Sequence, residues 1–107
     1  MNETEFNALA DAALAAIVKT LESRGVDCDY DFKGDGVLEL EFEDGGKIII
    51  NRHSAAREIW VAAKSGGYHF RFDGVNWVNT REGSELFVFL SHVIAERSGR
   101  PVVLRAP

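Results

Sequence analysis

The period of the apolar residues switches once near Gly25 and switches back near Ser84, and those two changes decide what this chain can fold into. From Glu3 to Arg24, the residues Phe6, Leu9, Ala10, Ala13, Leu14, Ile17 and Leu21 recur at three- and four-residue steps, the spacing of one helical face. Asn2 or Thr4 can cap its start, Glu3 and Glu5 suit the positive end of the helix dipole, and Gly25 stops it. Beyond Gly25 the period is two. Between Asp27 and Phe32 every second residue is apolar and the others are Asp. Between Val37 and Glu43, Leu38, Leu40 and Phe42 share one face, with Glu39, Glu41 and Glu43 on the other. Both segments predict half-buried antiparallel strands.

Further strands are predicted over 47–51, 58–62, 68–72 and 77–79. Turn residues stand between them at Asp44-Gly45-Gly46, Ser65-Gly66-Gly67 and Asp73-Gly74. Ser84 then caps a second helix from Glu85 to Arg97, whose core stripe is Leu86, Phe89, Leu90, Val93 and Ile94. Gly99 and Pro101 end it, and the short apolar tail Val102-Val103-Leu104 is expected to fold back over the open end between the helices. Helix, a run of strands, helix: the fold class is α+β. The expected architecture is a two-layer α/β sandwich, its N- and C-terminal helices packed on one face of a largely antiparallel sheet. One domain over residues 1–107 is expected, since there is no repeat, linker or low-complexity tract. The longest uncharged apolar run near the N-terminus, Ala12 to Val18, is far short of the roughly 20 residues that span a bilayer. No basic leader or cleavage signal precedes it, and the single cysteine, Cys28, can form no internal disulfide. Together these point to a reducing, cytoplasmic setting with no membrane partner.

Charge is unevenly spread. Residues 1–45 hold 12 acids and 3 bases, net −9, whereas residues 46–107 hold 5 acids and 9 bases, net +4. The negative half repels phosphate backbones and excludes nucleic acid as its partner; a cation or a basic protein surface fits it instead. Parity sharpens the picture. Placing Cys28, Tyr30 and Phe32 on the face of Leu38, Leu40 and Phe42 requires paired residue numbers with an even sum. A sum of 70 leaves Gly34-Asp35-Gly36 as a three-residue loop. On the other face Asp31 then opposes Glu39, Asp29 opposes Glu41 and Asp27 opposes Glu43. Like charges directly opposite are destabilising, a violation that natural sequences tolerate at functional sites. The acids can equally serve as a charged edge that blocks aggregation. As ligands, carboxylate oxygens suit Mg²⁺, Ca²⁺, Mn²⁺ or iron, in an open and water-rich site.

Other chemistry-bearing residues are sparse. His53, His69 and His92 fall on separate elements and read as unrelated surface histidines. Cys28 reads as a small buried hydrophobe with no paired base. The Gly-Gly pairs are hairpin turns, since no helix follows them. Trp60, beside the polar Asn51-Arg52-His53 segment, is a candidate exposed aromatic contact.

The stretches Gly36-Val37-Leu38, Phe42-Glu43-Asp44-Gly45-Gly46-Lys47-Ile48-Ile49-Ile50-Asn51-Arg52, Ile59-Trp60, Gly66-Gly67-Tyr68-His69-Phe70 and Asn76-Trp77 resemble the bacterial frataxin family of the CyaY type, in order and spacing. The resemblance covers nearly the whole chain. It implies a small α-β-α sandwich and an iron-binding accessory role in iron–sulfur cluster assembly. An acidic ridge on the first helix and first strand would bind Fe²⁺ or Fe³⁺ weakly. The implied partners are the cysteine desulfurase and the scaffold protein, with the chain acting as iron donor, as regulator of sulfur transfer, or both. It also implies a monomer that can form metal-dependent oligomers. In this sequence the ridge falls on Glu22, Asp27, Asp29 and Asp31, with Glu3, Glu5 and Asp11 as outlying helix acids; the sheet contact surface falls on Asn51 and Trp60. Lys19, Ser23 and Arg24 stand where bacterial members typically carry a denser acidic run. The alternative function is a metal-independent acidic module that docks on a basic partner. An enzyme is not expected, beyond a weak oxidation of iron at the ridge, because no nucleophile–base pair is present.

Overall fold

The computed structural model describes residues 1–107. Helix α1 spans Glu3–Ser23, and it starts where the sequence allows a reciprocal cap: Asn2 Oδ1 accepts from the Glu5 N–H at 2.8 Å while Glu5 Oε1 reaches back to the Asn2 N–H. Phe6, Ala10, Ala13, Leu14, Ile17 and Leu21 form its buried stripe. Six strands follow as an antiparallel meander in sequential order: β1 Cys28–Phe32, β2 Val37–Phe42, β3 Lys47–His53, β4 Glu58–Ala63, β5 Gly66–Phe72 and β6 Trp77–Asn79. Helix α2 spans Leu86–Ser98. The chain order is α-β-α, but in space both helices cover the same sheet face, giving two layers around one core. Leu38, Leu40, Ile48, Ile50, Ile59, Val61 and Phe70 point into that core, as do Trp77, Leu86, Leu90 and Ile94. The other sheet face is uncovered.

The expected register holds. Cys28 pairs with Phe42, Asp29 with Glu41, Tyr30 with Leu40 and Asp31 with Glu39, and Gly34 and Gly36 take positive φ in the three-residue loop. Gly36 has a second reason to be glycine: its carbonyl accepts from the Arg52 N–H, and a Cβ there would strike the Arg52 side chain. The tail folds back as expected, although Val103 of its three apolar residues points to solvent. Val102 and Leu104 are buried, and the Leu104 N–H donates to Ser91 Oγ of α2 at 2.8 Å.

Four expectations fail. Asp27 lies outside β1, because the Cys28 N–H bonds to the Val26 carbonyl in a bend after α1, so no Asp27–Glu43 pair enters the ladder. Strand β1 is an edge strand beyond the cover of the helices, and Tyr30 and Phe32, expected on the buried face, are 39% and 47% exposed. Glu85, not Ser84, caps α2: its carboxylate bends back to accept from the Phe87 and Val88 N–H groups, while the Ser84 hydroxyl donates to Glu82. The β4–β5 connection is the two-residue Lys64-Ser65, so Gly66 and Gly67 belong to the strand. No helix is long and apolar enough to cross a membrane.

Candidate functional site

Two groups of polar side chains occupy the uncovered side of the sheet. The first is acidic and sits at the β1–β2 end. Asp27, Asp29, Glu41 and Glu43 line one open depression of about 420 Å³, together with Cys28. None of these four carboxylates has a cationic side chain within 4 Å. The next rung differs: Asp31 pairs with Lys33 at 3.1 Å, and Glu39 is flanked by Lys33 at 3.8 Å and Lys47 at 3.6 Å. The opposition that parity predicts is therefore real at Asp29–Glu41 and neutralised at Asp31–Glu39. No three His, Cys, Asp or Glu side chains converge tightly enough to enclose an ion. What the depression offers is a few hard oxygen donors around space for water, which fits a loosely held hydrated cation. Burial pushes the Cys28 thiol above its ordinary pKa, and the neighbouring Asp29 and Asp27 charges add to the shift.

The remaining acids of the expected ridge are dispersed. Glu22, near the end of α1, accepts from the Tyr30 hydroxyl at 2.7 Å, a bond that raises the phenol pKa and joins the helix to the edge strand. Asp11 binds Arg52 Nε at 2.8 Å, and Asn7 accepts from the same guanidinium at 2.9 Å. Glu3 and Glu5 lie in the first turn, about 26–28 Å along the axis from Glu22 at roughly 1.5 Å per residue. Glu3, Glu5 and Asp11 are thus not brought to the depression.

The second group is aromatic and lies across β3, β4 and β5. Register sets Asn51 opposite Trp60 and Trp60 opposite His69. The His53 ring stacks on one side of the indole at 3.9 Å and 13°, and His69 stacks at 4.5 Å and 14°. The histidines of β3 and β5 are therefore not unrelated surface residues. Trp60 is half-buried, with both neighbouring rings parallel to it. Under this stack lies Glu58, only 7% exposed although it belongs to the uncovered face. Its Oε1 accepts from Trp60 Nε1 at 2.8 Å and faces His69 Nδ1 at 3.3 Å; its Oε2 accepts from Arg71 at 2.8 Å. Sequence reasoning missed Glu58. The signal was available, since it alternates with Trp60 on one strand and so shares its face.

A family model described as the frataxin-like domain matches residues 1–100. The chain is 51% identical over 105 residues to the iron–sulfur cluster assembly protein CyaY of Dechloromonas aromatica (strain RCB), covering 98% of this chain and 100% of that one. It is 46% identical over 109 residues to the protein of the same name from Janthinobacterium sp. (strain Marseille), covering 98% and 97%. Among solved structures, frataxin from Psychromonas ingrahamii superposes with a TM-score of 0.90 at 37% identity, covering 96% of this chain and 97% of that one. A trimeric frataxin from the yeast Saccharomyces cerevisiae, complexed with ferrous iron, superposes with a TM-score of 0.72 at 28% identity, covering 85% and 86%.

Proposed function

The chain belongs to the frataxin-like family, and on that premise we propose that it is an accessory protein of iron–sulfur cluster assembly that carries iron weakly at its acidic β1–β2 end. The observation that carries this reading is the open depression lined by Asp27, Asp29, Glu41 and Glu43, none of which has a lysine or arginine nitrogen within 4 Å. Iron is cargo in this reading. A transferable ion has to be held by few protein oxygens and several waters, and a closed His/Cys cage would retain it. Asp27 and Asp29 from the expected ridge then act with Glu41 and Glu43, with Glu22 and Asp31 at the margins. The yeast neighbour complexed with ferrous iron supports the choice of metal. The names of the relatives support partners in the assembly machinery, which we take to be the cysteine desulfurase and scaffold protein in the cytoplasm. The acidic end steers the chain to a basic partner surface, and the Trp60–Asn51 face offers a second, less charged contact.

Anaerobic titration of the ¹⁵N-labelled protein with Fe²⁺ tests the iron site. Paramagnetic broadening confined to residues 27–29 and 41–43, and lost in the Asp29→Asn/Glu41→Gln variant, is expected. Absence of broadening at millimolar Fe²⁺, with binding to the desulfurase–scaffold complex intact, would establish the metal-independent docking module instead.

A further inference from the structure

Glu58 is an anomaly on the uncovered face. An acid there has free access to water, yet this one is almost wholly enclosed by the side chains it binds. Carboxylates are rarely buried unless paired, and Glu58 meets that condition with two donors from two strands, the indole N–H of Trp60 and the guanidinium of Arg71, while the His69 imidazole faces it at 3.3 Å. Arg71 itself remains well exposed, so water screens its share of the ion pair. The bond to the indole is the sheltered one.

The geometry around Trp60 shows what that bond does. With His53 on one face and His69 on the other, the indole stands between two imidazoles. His53 is held in turn, its Nδ1 accepting from the Ala56 N–H at 3.3 Å. The stacked rings limit tilting of the indole, and the Glu58 bond fixes which edge of it turns toward the sheet. Nothing else accepts from Trp60 Nε1. Loss of the carboxylate leaves the indole held by stacking alone, with no partner for its N–H.

We infer that Glu58 is a positioning residue for the contact face, holding the Trp60 indole on edge between His53 and His69 so that one fixed aromatic edge meets the partner. This rests on the reading of Trp60 as a partner contact, and it adds a residue that acts through Trp60 without touching the partner. Freeing one interfacial side chain that then has to be re-ordered on binding lowers affinity about three- to tenfold.

The test uses the full chain and the purified desulfurase–scaffold complex. In ¹H–¹⁵N spectra the two indole N–H resonances are assigned by the loss of one in Trp60→Phe. In Glu58→Ala the Trp60 resonance should move to the position of a solvated indole and exchange faster with water, with the Trp77 resonance unmoved. Glu58→Gln, which keeps an oxygen acceptor, should restore the resonance and bring affinity within about twofold of the parent. Glu58→Ala should weaken complex binding about three- to tenfold in the parent and have no further effect in a Trp60→Ala background. An unmoved Trp60 resonance in Glu58→Ala overturns the positioning role. Equal loss of affinity in both backgrounds also overturns it, because Glu58 would then contact the partner directly. If Trp60→Ala itself binds normally, the contact-face reading fails, and the indole resonance still decides whether Glu58 holds the ring.

Discussion

Replacing Asp29 by Asn should make the protein more stable, and the structure fixes both the size of the gain and where it should vanish. Asp29 stands directly opposite Glu41 in the β1–β2 ladder, and neither carboxylate has a cation within 4 Å. With the charges about 5 Å apart, the spacing of opposed residues, Coulomb's law in water gives roughly 0.8 kcal/mol of repulsion. That agrees with the range of about 0.2–1 kcal/mol for opposed like charges. For a domain of this size 1 kcal/mol corresponds to roughly 4 °C, so Asp29→Asn should raise the melting temperature by about 2–3 °C in low salt. At 1 M salt the Debye length falls to about 3 Å, and the difference should shrink below about 1 °C.

Asp31 is the internal control. It opposes Glu39 in the same ladder, but Lys33 lies 3.1 Å away and Lys47 also flanks Glu39. Asp31→Asn removes an attraction together with a repulsion, so it should leave the melting temperature level or slightly lower. Fe²⁺ should then stabilise the parent more than Asp29→Asn, because the ion bridges the same bare charges. Anaerobic melting curves of the three proteins at two salt concentrations, with and without metal, supply every arm. If Asp29→Asn melts lower than the parent in low salt, or if Asp31→Asn gains as much, the bare-pair argument is wrong.

The two tryptophans should separate by fold position: Trp77→Ala, which empties a site packed by Phe6 and Phe72, should cost about 3–5 kcal/mol in urea unfolding, while Trp60→Ala, on the uncovered face, should cost much less. Deleting residues 101–107 removes the buried Val102 and Leu104 side chains, each worth up to about 1.5–3 kcal/mol, so the melting temperature should fall by several degrees; an unchanged curve would mean the tail contributes nothing. The Cys28 thiol, raised by burial and by Asp29 and Asp27, should be alkylated by iodoacetamide more slowly at pH 7.5 than a model cysteine peptide, and Asp29→Asn should narrow the gap. The same shift has a stability consequence. The folded state holds that proton more tightly than the unfolded state, so the stabilisation is complete below the unfolded thiol pKa of about 8.5 and is lost as pH rises through the folded value.

What the sequence disclosed follows from which residues the core constrains. The β1–β2 register could be read because both segments have one apolar face and the loop between them carries two glycines able to take positive φ, leaving a single consistent pairing. The start of β1 could not, because it depends on how the backbone leaves α1, and the Val26–Cys28 bond holding Asp27 out of the ladder has no side-chain signature. The aromatic group was hidden for a related reason. Parity puts Asn51, His53, Glu58, Trp60, His69 and Arg71 on one face, but which of them touch is decided by loop length. The two-residue Lys64-Ser65 loop, in place of the expected turn over 65–67, pairs Ala63 with Gly66 and brings Trp60 opposite His69. Hydropathy reports register only through the face that is buried. The contacts of Glu58 lie on the other face, where the pattern shows polar residues and three rings without saying that they meet.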